Sequence, residues 1–370
     1  METLSLLIKP MSSNCNMRCC YCFYNELSEV RSVKNYGAMT YSLLETLIKK
    51  ALSIPTRQCF IGFQGGEPTL AGLDFYKKLI DLEQKYNRNN VEILHTFQTN
   101  GLLVNDEWAE FFIANKFLVG LSIDASKDIH DSLRPDVSLK GTHNRCIKAA
   151  QKLRRHGVEF NILSVVTHFL ASHPDKVYNF YKRNGFKYVQ FIPCLDVIDK
   201  DRHSSLFSLD AEIYGSFLCR IFDLWYADYI KGDYFSIRMF DNYIHILAGA
   251  PPENCAMRGI CSAYALVEAD GSVYPCDFYA LDEFRLGNIS THCLKEMLCG
   301  ETAEAFLAPS KYSSPKCTSC EYRQICRGGC RRDREPIIDG MLSLNRYCNA
   351  YKMFFQHTLQ RMIAIAQVLR

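Results

Sequence analysis

At 370 residues, 48% apolar and 22% charged, the chain has material for one large domain or two and reads as a soluble globular protein. Its formal charge of +3 gives no reason to expect attraction to nucleic acid or to a membrane surface. No apolar run approaches the roughly 18 residues that span a bilayer, and the opening METLSLLIKPM is too short in apolar residues for a secretory signal, so a cytoplasmic location is expected.

Six short runs rich in Val, Ile, Leu or Phe read as strands: Leu4–Lys9, Cys59–Gln64, Val91–Gln98, Phe117–Ile123, Val158–Val166 and Lys187–Ile192. Amphipathic stretches follow them at Tyr41–Leu52, Leu73–Tyr86, Asp106–Ala114, Gly141–His156, Pro174–Asn184 and Ala211–Lys231. Asp106, Glu107 and Asp175 lie at helix starts, and Gly157 lies just past a helix end, where each residue type is favoured. Strand–helix units in succession imply parallel strands with right-handed crossovers. Six units fall short of a closed eight-stranded barrel, so the expected fold is an α/β partial barrel, with a doubly wound sheet second. Functional groups then belong at the carboxyl ends of the strands. The pattern changes near residues 232–250. Beyond it, Ser262–Asp282 reads as a hairpin about Asp270-Gly271, followed by a short helix near Cys293–Leu298 and a final helix near Ala350–Val368. The expected domains are residues 1–235 and 236–370.

Eighteen cysteines are the outlier, clustered at 15–22 and from 255 to 348. In a reducing compartment such clusters read as metal ligands. Cys15, Cys19 and Cys22 lie in a loop just past the first strand. Three thiolates on a four-iron cluster leave one iron open to a small molecule. A zinc site needs a fourth ligand, for which Cys20 is a candidate, and an electron-transferring cluster needs four cysteines.

CNMRCCYC resembles the CxxxCxxC signature of the radical S-adenosylmethionine (radical SAM) superfamily. The resemblance implies that the open iron chelates S-adenosylmethionine and that its reductive cleavage yields a 5′-deoxyadenosyl radical. Gly65-Gly66-Glu67-Pro68 resembles the family's GGEP turn, and Gln98-Thr99-Asn100-Gly101 ends the next strand. By the same resemblance Tyr21, Gly66, Ser122, Arg134 and Leu195 contact the cofactor. Taken singly, Ser122 is an ordinary strand-end hydroxyl, Arg134 a surface charge and Leu195 core packing.

The cysteines from 255 to 348 resemble the SPASM domain, which extends radical SAM enzymes that act on peptides. The analogy assigns Cys255, Cys261, Cys276 and Cys330 to one auxiliary [4Fe-4S] cluster. Cys317, Cys320, Cys326 and Cys348 fall to a second. A pair of zinc sites is the alternative. Arg327, Arg331, Arg332 and Arg334 surround Cys330 and read as counter-charge for anionic clusters or as a solvated face. The other seven cysteines, Cys20, Cys59, Cys146, Cys194, Cys219, Cys293 and Cys299, read mostly as buried small apolar residues.

The segments SLLIKPMSSNCNMRCCYCFY, FQGGEPTLAGL, KFLVGLS, VEFNIL, DGSVYPCDFY and RLGNI resemble anaerobic sulfatase-maturating enzymes along the whole chain. That family converts a cysteine or serine in an unfolded sulfatase, within a Cys/Ser-x-Pro/Ala-x-Arg motif, to Cα-formylglycine. It implies Asp277, next to Cys276, as the base, and a low-potential flavodoxin or ferredoxin as electron donor. A SPASM maturase that crosslinks ribosomal peptides is the alternative enzyme. A non-enzymatic iron–sulfur or zinc protein, carrying electrons or binding a partner, is the alternative of another class.

Overall fold

The computed structural model describes residues 2–196 and 207–369. In chain order its elements begin β1 (Thr3–Ile8), α1 (Phe23–Val30), α2 (Tyr41–Leu52), β2 (Gln58–Phe63), α3 (Leu73–Tyr86), β3 (Glu92–Thr99), α4 (Asp106–Ala114), β4 (Leu118–Ser122), α5 (Lys127–Leu133) and α6 (His143–Arg155). They continue with β5 (Phe160–Val166), α7 (His168–Ala171), α8 (Pro174–Arg183), β6 (Tyr188–Pro193), α9 (Ala211–Tyr229), β7 (Ser236–Ile237), α10 (Arg238–Leu247) and α11 (Cys255–Arg258). The last are β8 (Ala265–Val267), β9 (Ser272–Tyr274), β10 (Gly287–Asn288), α12 (Leu294–Cys299), α13 (Glu301–Leu307), α14 (Pro315–Thr318), α15 (Arg323–Cys326), β11 (Ile337–Ile338), β12 (Met341–Leu342) and α16 (Cys348–Val368).

All six expected strands form, and the expected α2, α3 and α4 have the bounds read from the sequence. Thr40, Asn105 and Asp210 cap α2, α4 and α9, accepting from Leu43, Trp108 and Ile213 backbone N–H. Gly157 takes φ +71° just past α6, as its place implied. The sequence reading placed no helix at α1, α5, α7, α10, α11, α13, α14 or α15. The first has Cys22 as its N-cap, so its start is hidden inside the cysteine motif.

The chain packs as two compact units. The first holds residues 1–122, 134–160 and 263–306. Its strands run β10-β9-β8-β1-β2-β3-β4. β1 to β4 pair in parallel, and β8 adds to β1 in parallel with Leu6 opposite Ala265. β9 and β10 continue antiparallel. The hairpin turns at Gly271, φ +86°, but is shorter than the alternation suggested, because Pro275 cannot donate to a ladder. A ring cluster of Phe63, Tyr76, Phe97, Trp108 and Phe112 fills the space under the helices, with Tyr76 and Trp108 centroids 5.4 Å apart.

The second unit holds residues 123–133, 161–262 and 307–370. β5, β6 and β7 pair in parallel. α9 and α16 pack through Tyr214 on Tyr351 and Phe222 on Phe354. The fold is α/β with parallel strands and a cysteine-rich C-terminal region, which is the expected class. No helix among the described residues is long and apolar enough to cross a membrane.

One expectation fails. Of the seven remaining cysteines, Cys59, Cys146 and Cys194 are buried and Cys219 is half-buried, but Cys20, Cys293 and Cys299 are exposed. Those three sit in a loop or at the ends of the short α12, where no second layer covers them.

Candidate functional site

In the first unit the cysteine loop leaves β1 and is held from two sides. Arg18 N–H donates to the Pro135 carbonyl at 2.8 Å, and Glu67 N–H donates to the Asn14 carbonyl at 2.8 Å. The Gly65-Gly66 turn, at φ +81° and +56°, presses on this loop. A Cβ on Gly66 would lie 2.2 Å from the Asn14 carbonyl oxygen, so no other residue fits without moving backbone.

The Glu67 side chain is 1% exposed and ties its own turn to the end of β3. It accepts from Thr69 N–H (3.1 Å), Thr69 Oγ1 (2.6 Å), Thr99 Oγ1 (2.7 Å) and Asn100 N–H (2.8 Å). Burial raises its pKa, and these donors oppose that by favouring the charged form. Asn100 then reaches the cysteine loop, with Nδ2 at 2.7 Å from Asn16 Oδ1 and 3.8 Å from Cys15 Sγ. Met17 N–H donates to the same sulfur at 3.4 Å.

Burial pushes the Cys15 thiol up to about 11. A thiolate here therefore needs a bound cation or cluster, along with the donors already aimed at it. Arg134 lies opposite, its Nη1 at 3.9 Å from Cys19 Sγ and its guanidinium 5.2 Å over the Tyr21 ring. Cys22 caps α1. The first unit thus gathers Cys15, Cys19, Tyr21, Cys22, Gly66 and Arg134 around one loop. Ser122, 6% exposed, ends β4 in the same unit. Leu195 belongs to the second unit, half-buried two residues past β6. This donor set suits an open-sided iron–sulfur cluster: thiols on one loop, N–H donors to sulfur and a glycine turn alongside.

Asp277 also lies in the first unit, buried just past β9. Tyr24 Oη donates to its Oδ2 at 3.3 Å, and Gln64 Nε2 lies 3.5 Å from the same oxygen. Tyr264 Oη donates to Oδ1 and accepts the Asp277 backbone N–H at 2.8 Å. Burial raises the Asp277 pKa above the ordinary carboxylate value, while these partners favour the charged form. Sequence reasoning missed Tyr24, Gln64 and Tyr264. Gln64 follows the end of β2 and Tyr24 lies two residues past Cys22, so strand-end position was the available signal.

In the second unit Cys255 and Cys261 act electrostatically on Cys330, and Cys317, Cys320 and Cys348 on Cys326. Burial raises both recipients, Cys326 to about 11. Arg332 N–H donates to Cys330 Sγ at 3.4 Å. Cys276 lies in the first unit, within 3.7 Å of Tyr264 Oη. Two groups of thiols with N–H donors fit thiolate-ligated clusters.

Residues 10–180 match the radical SAM superfamily, and residues 255–321 match SPASM, an iron–sulfur cluster-binding domain. Fold and site together define a radical SAM enzyme with an auxiliary iron–sulfur extension. The chain is 43% identical to a cysteine-type anaerobic sulfatase-maturating enzyme of Clostridium novyi, covering 100% of this chain and 99% of that one. It is 35% identical to a serine-type enzyme of Bacteroides thetaiotaomicron, over 96% and 89%. The solved structure of native anSMEcpe with bound AdoMet and Cp18Cys peptide matches at TM-score 0.95 and 43% identity, covering 100% of both chains. This chain belongs to the anaerobic sulfatase-maturating enzymes.

Proposed function

We propose that the chain oxidises cysteine, in preference to serine, within an unfolded sulfatase segment to Cα-formylglycine. The cysteine preference follows the higher identity to the cysteine-type relative, 43% against 35%. Cys15, Cys19 and Cys22 hold the cofactor-binding cluster, and Tyr21, Gly66, Ser122, Arg134 and Leu195 hold S-adenosylmethionine. Cys255, Cys261, Cys276 and Cys330 hold one auxiliary cluster, and Cys317, Cys320, Cys326 and Cys348 the other. Functionally, residues 1–235 generate the radical and 236–370 carry the auxiliary clusters. A low-potential flavodoxin or ferredoxin supplies the electron.

When bound, these groups provide a 5′-deoxyadenosyl radical that removes a hydrogen atom and an acceptor for one further electron. The chain's own residues manage the proton. As the C=S bond forms at the substrate Cβ, one electron and one proton leave together with the hydrogen atom already taken. Asp277 receives that thiol proton. Its raised pKa makes it a stronger base than an exposed aspartate, and Tyr24, Gln64 and Tyr264 fix its two oxygens. Water then hydrolyses the thioaldehyde, releasing sulfide.

The buried, triply held Asp277 carries this reading. In Asp277→Asn, 5′-deoxyadenosine should still form while formylglycine falls about 100-fold or more, the scale of a lost general base. Formylglycine yield equal to that of the unsubstituted enzyme would remove Asp277 from the proton step.

A further inference from the structure

Arg334 is 3% exposed. Its Nη1 donates to the Gly259 carbonyl at 3.2 Å, and its Nη2 donates to the Tyr312 carbonyl at 2.9 Å. A Cβ on Gly328 would lie 3.7 Å from its Cζ. Each neighbour belongs to a different cysteine-bearing segment. Gly259 lies between Cys255 and Cys261, Tyr312 leads into Cys317, and Gly328 lies between Cys326 and Cys330. The guanidinium therefore sits where both cysteine groups of the second unit meet.

Its charge is not spent on a carboxylate. Arg331 and Arg332 pair with Glu335 at 3.6 and 3.8 Å, and Arg346 with Asp196 at 2.5 Å, but among the described residues Arg334 makes no such pair. Two neutral carbonyls do not compensate a buried cation, which requires an anion nearby. Burial tends to lower the Arg334 pKa, and Cys317, Cys261, Cys330 and Cys326 act to raise it. Sulfurs of both groups thus lie around it, and they become negative when they ligate a cluster as thiolates. A four-iron cluster with four thiolate ligands is anionic and gains a further negative charge on reduction, so a fixed cation favours the reduced form.

We propose that Arg334 is the shared counter-charge of the two auxiliary clusters, a positioning residue that raises the reduction potential of both. It rests on the ligand assignment above. Its consequence is functional: the electron leaving the substrate finds an acceptor whose reduced state is already stabilised.

The test compares Arg334→Lys with Arg334→Gln in the full-length protein, reconstituted with iron and sulfide. Neither side chain spans both carbonyls, and only lysine keeps the charge. Iron and sulfide per chain and the midpoint potentials of all three clusters are read by redox titration with electron paramagnetic resonance. We expect Arg334→Gln to lower both auxiliary potentials by about tenfold in the reduced-to-oxidised ratio, or ~59 mV. The cluster at Cys15, Cys19 and Cys22 should not shift, and Arg334→Lys should remain near the unsubstituted values. Loss of iron in the glutamine variant alone would also show the charge to be required. Unshifted auxiliary potentials in a fully loaded glutamine variant would overturn the inference. So would equal shifts, or equal iron loss, in both variants, since the lost hydrogen bonds would then be responsible. Failure of the ligand assignment would register differently, as iron below the expected load in the unsubstituted chain.

Discussion

Gly66 shows how a single residue constrains the site. With φ +56° and the Asn14 carbonyl 2.2 Å from any Cβ, alanine meets rigid backbone and not a flexible side chain. Left-handed strain alone costs about 1–3 kcal/mol, and the clash adds to it. Gly66→Ala should therefore displace residue 14, next to Cys15, and weaken S-adenosylmethionine binding about tenfold or more by equilibrium dialysis. Unchanged affinity would show that the turn does not set the cofactor's seat. The glycines and cysteines were legible because their spacing along the chain is itself the signal. Tyr24, Gln64 and Tyr264 were not. A tyrosine or glutamine has no distinctive spacing, and only the fold brings these three to one carboxylate.

At the scale of elements, the first unit depends on β8 lying beside β1. Glu268, just past β8, is fully buried and pairs with Lys9, just past β1, and with Arg31, just past α1. Although burial alone would raise its pKa, the two cations hold it below the ordinary value. Lys9 also lies 4.8 Å over the ring of Tyr24, which donates to Asp277. Removing the carboxylate strands two buried cations, so Glu268→Ala should cost about 3–5 kcal/mol in denaturant unfolding. A loss below about 1 kcal/mol would mean that water reaches these charges. The sequence reading located the hairpin from its Asp-Gly turn and alternation. It held no sign that β8 would pair with β1, because a parallel pairing between residues 6 and 265 leaves no local pattern. Helix α1 escaped for a different reason. Cys22 is its N-cap without a side-chain cap bond, so a metal-ligand motif covers the usual start signal.

Across the whole molecule, strand–helix alternation made the α/β class readable, and cysteine arithmetic made the iron–sulfur chemistry readable. Long-range pairing and the companions of Asp277 required the structure. Substrate chemistry came from resemblance, then from relatives 43% and 35% identical. Anaerobic incubation of the reconstituted, reduced enzyme with S-adenosylmethionine and a short peptide containing Cys-x-Pro-x-Arg, read by mass spectrometry, tests the account most directly. The peptide should lose about 18 Da, with sulfide released and 5′-deoxyadenosine formed in step, as replacement of thiol by aldehyde demands. A loss of about 2 Da without sulfide would instead mean a crosslink and contradict the assignment.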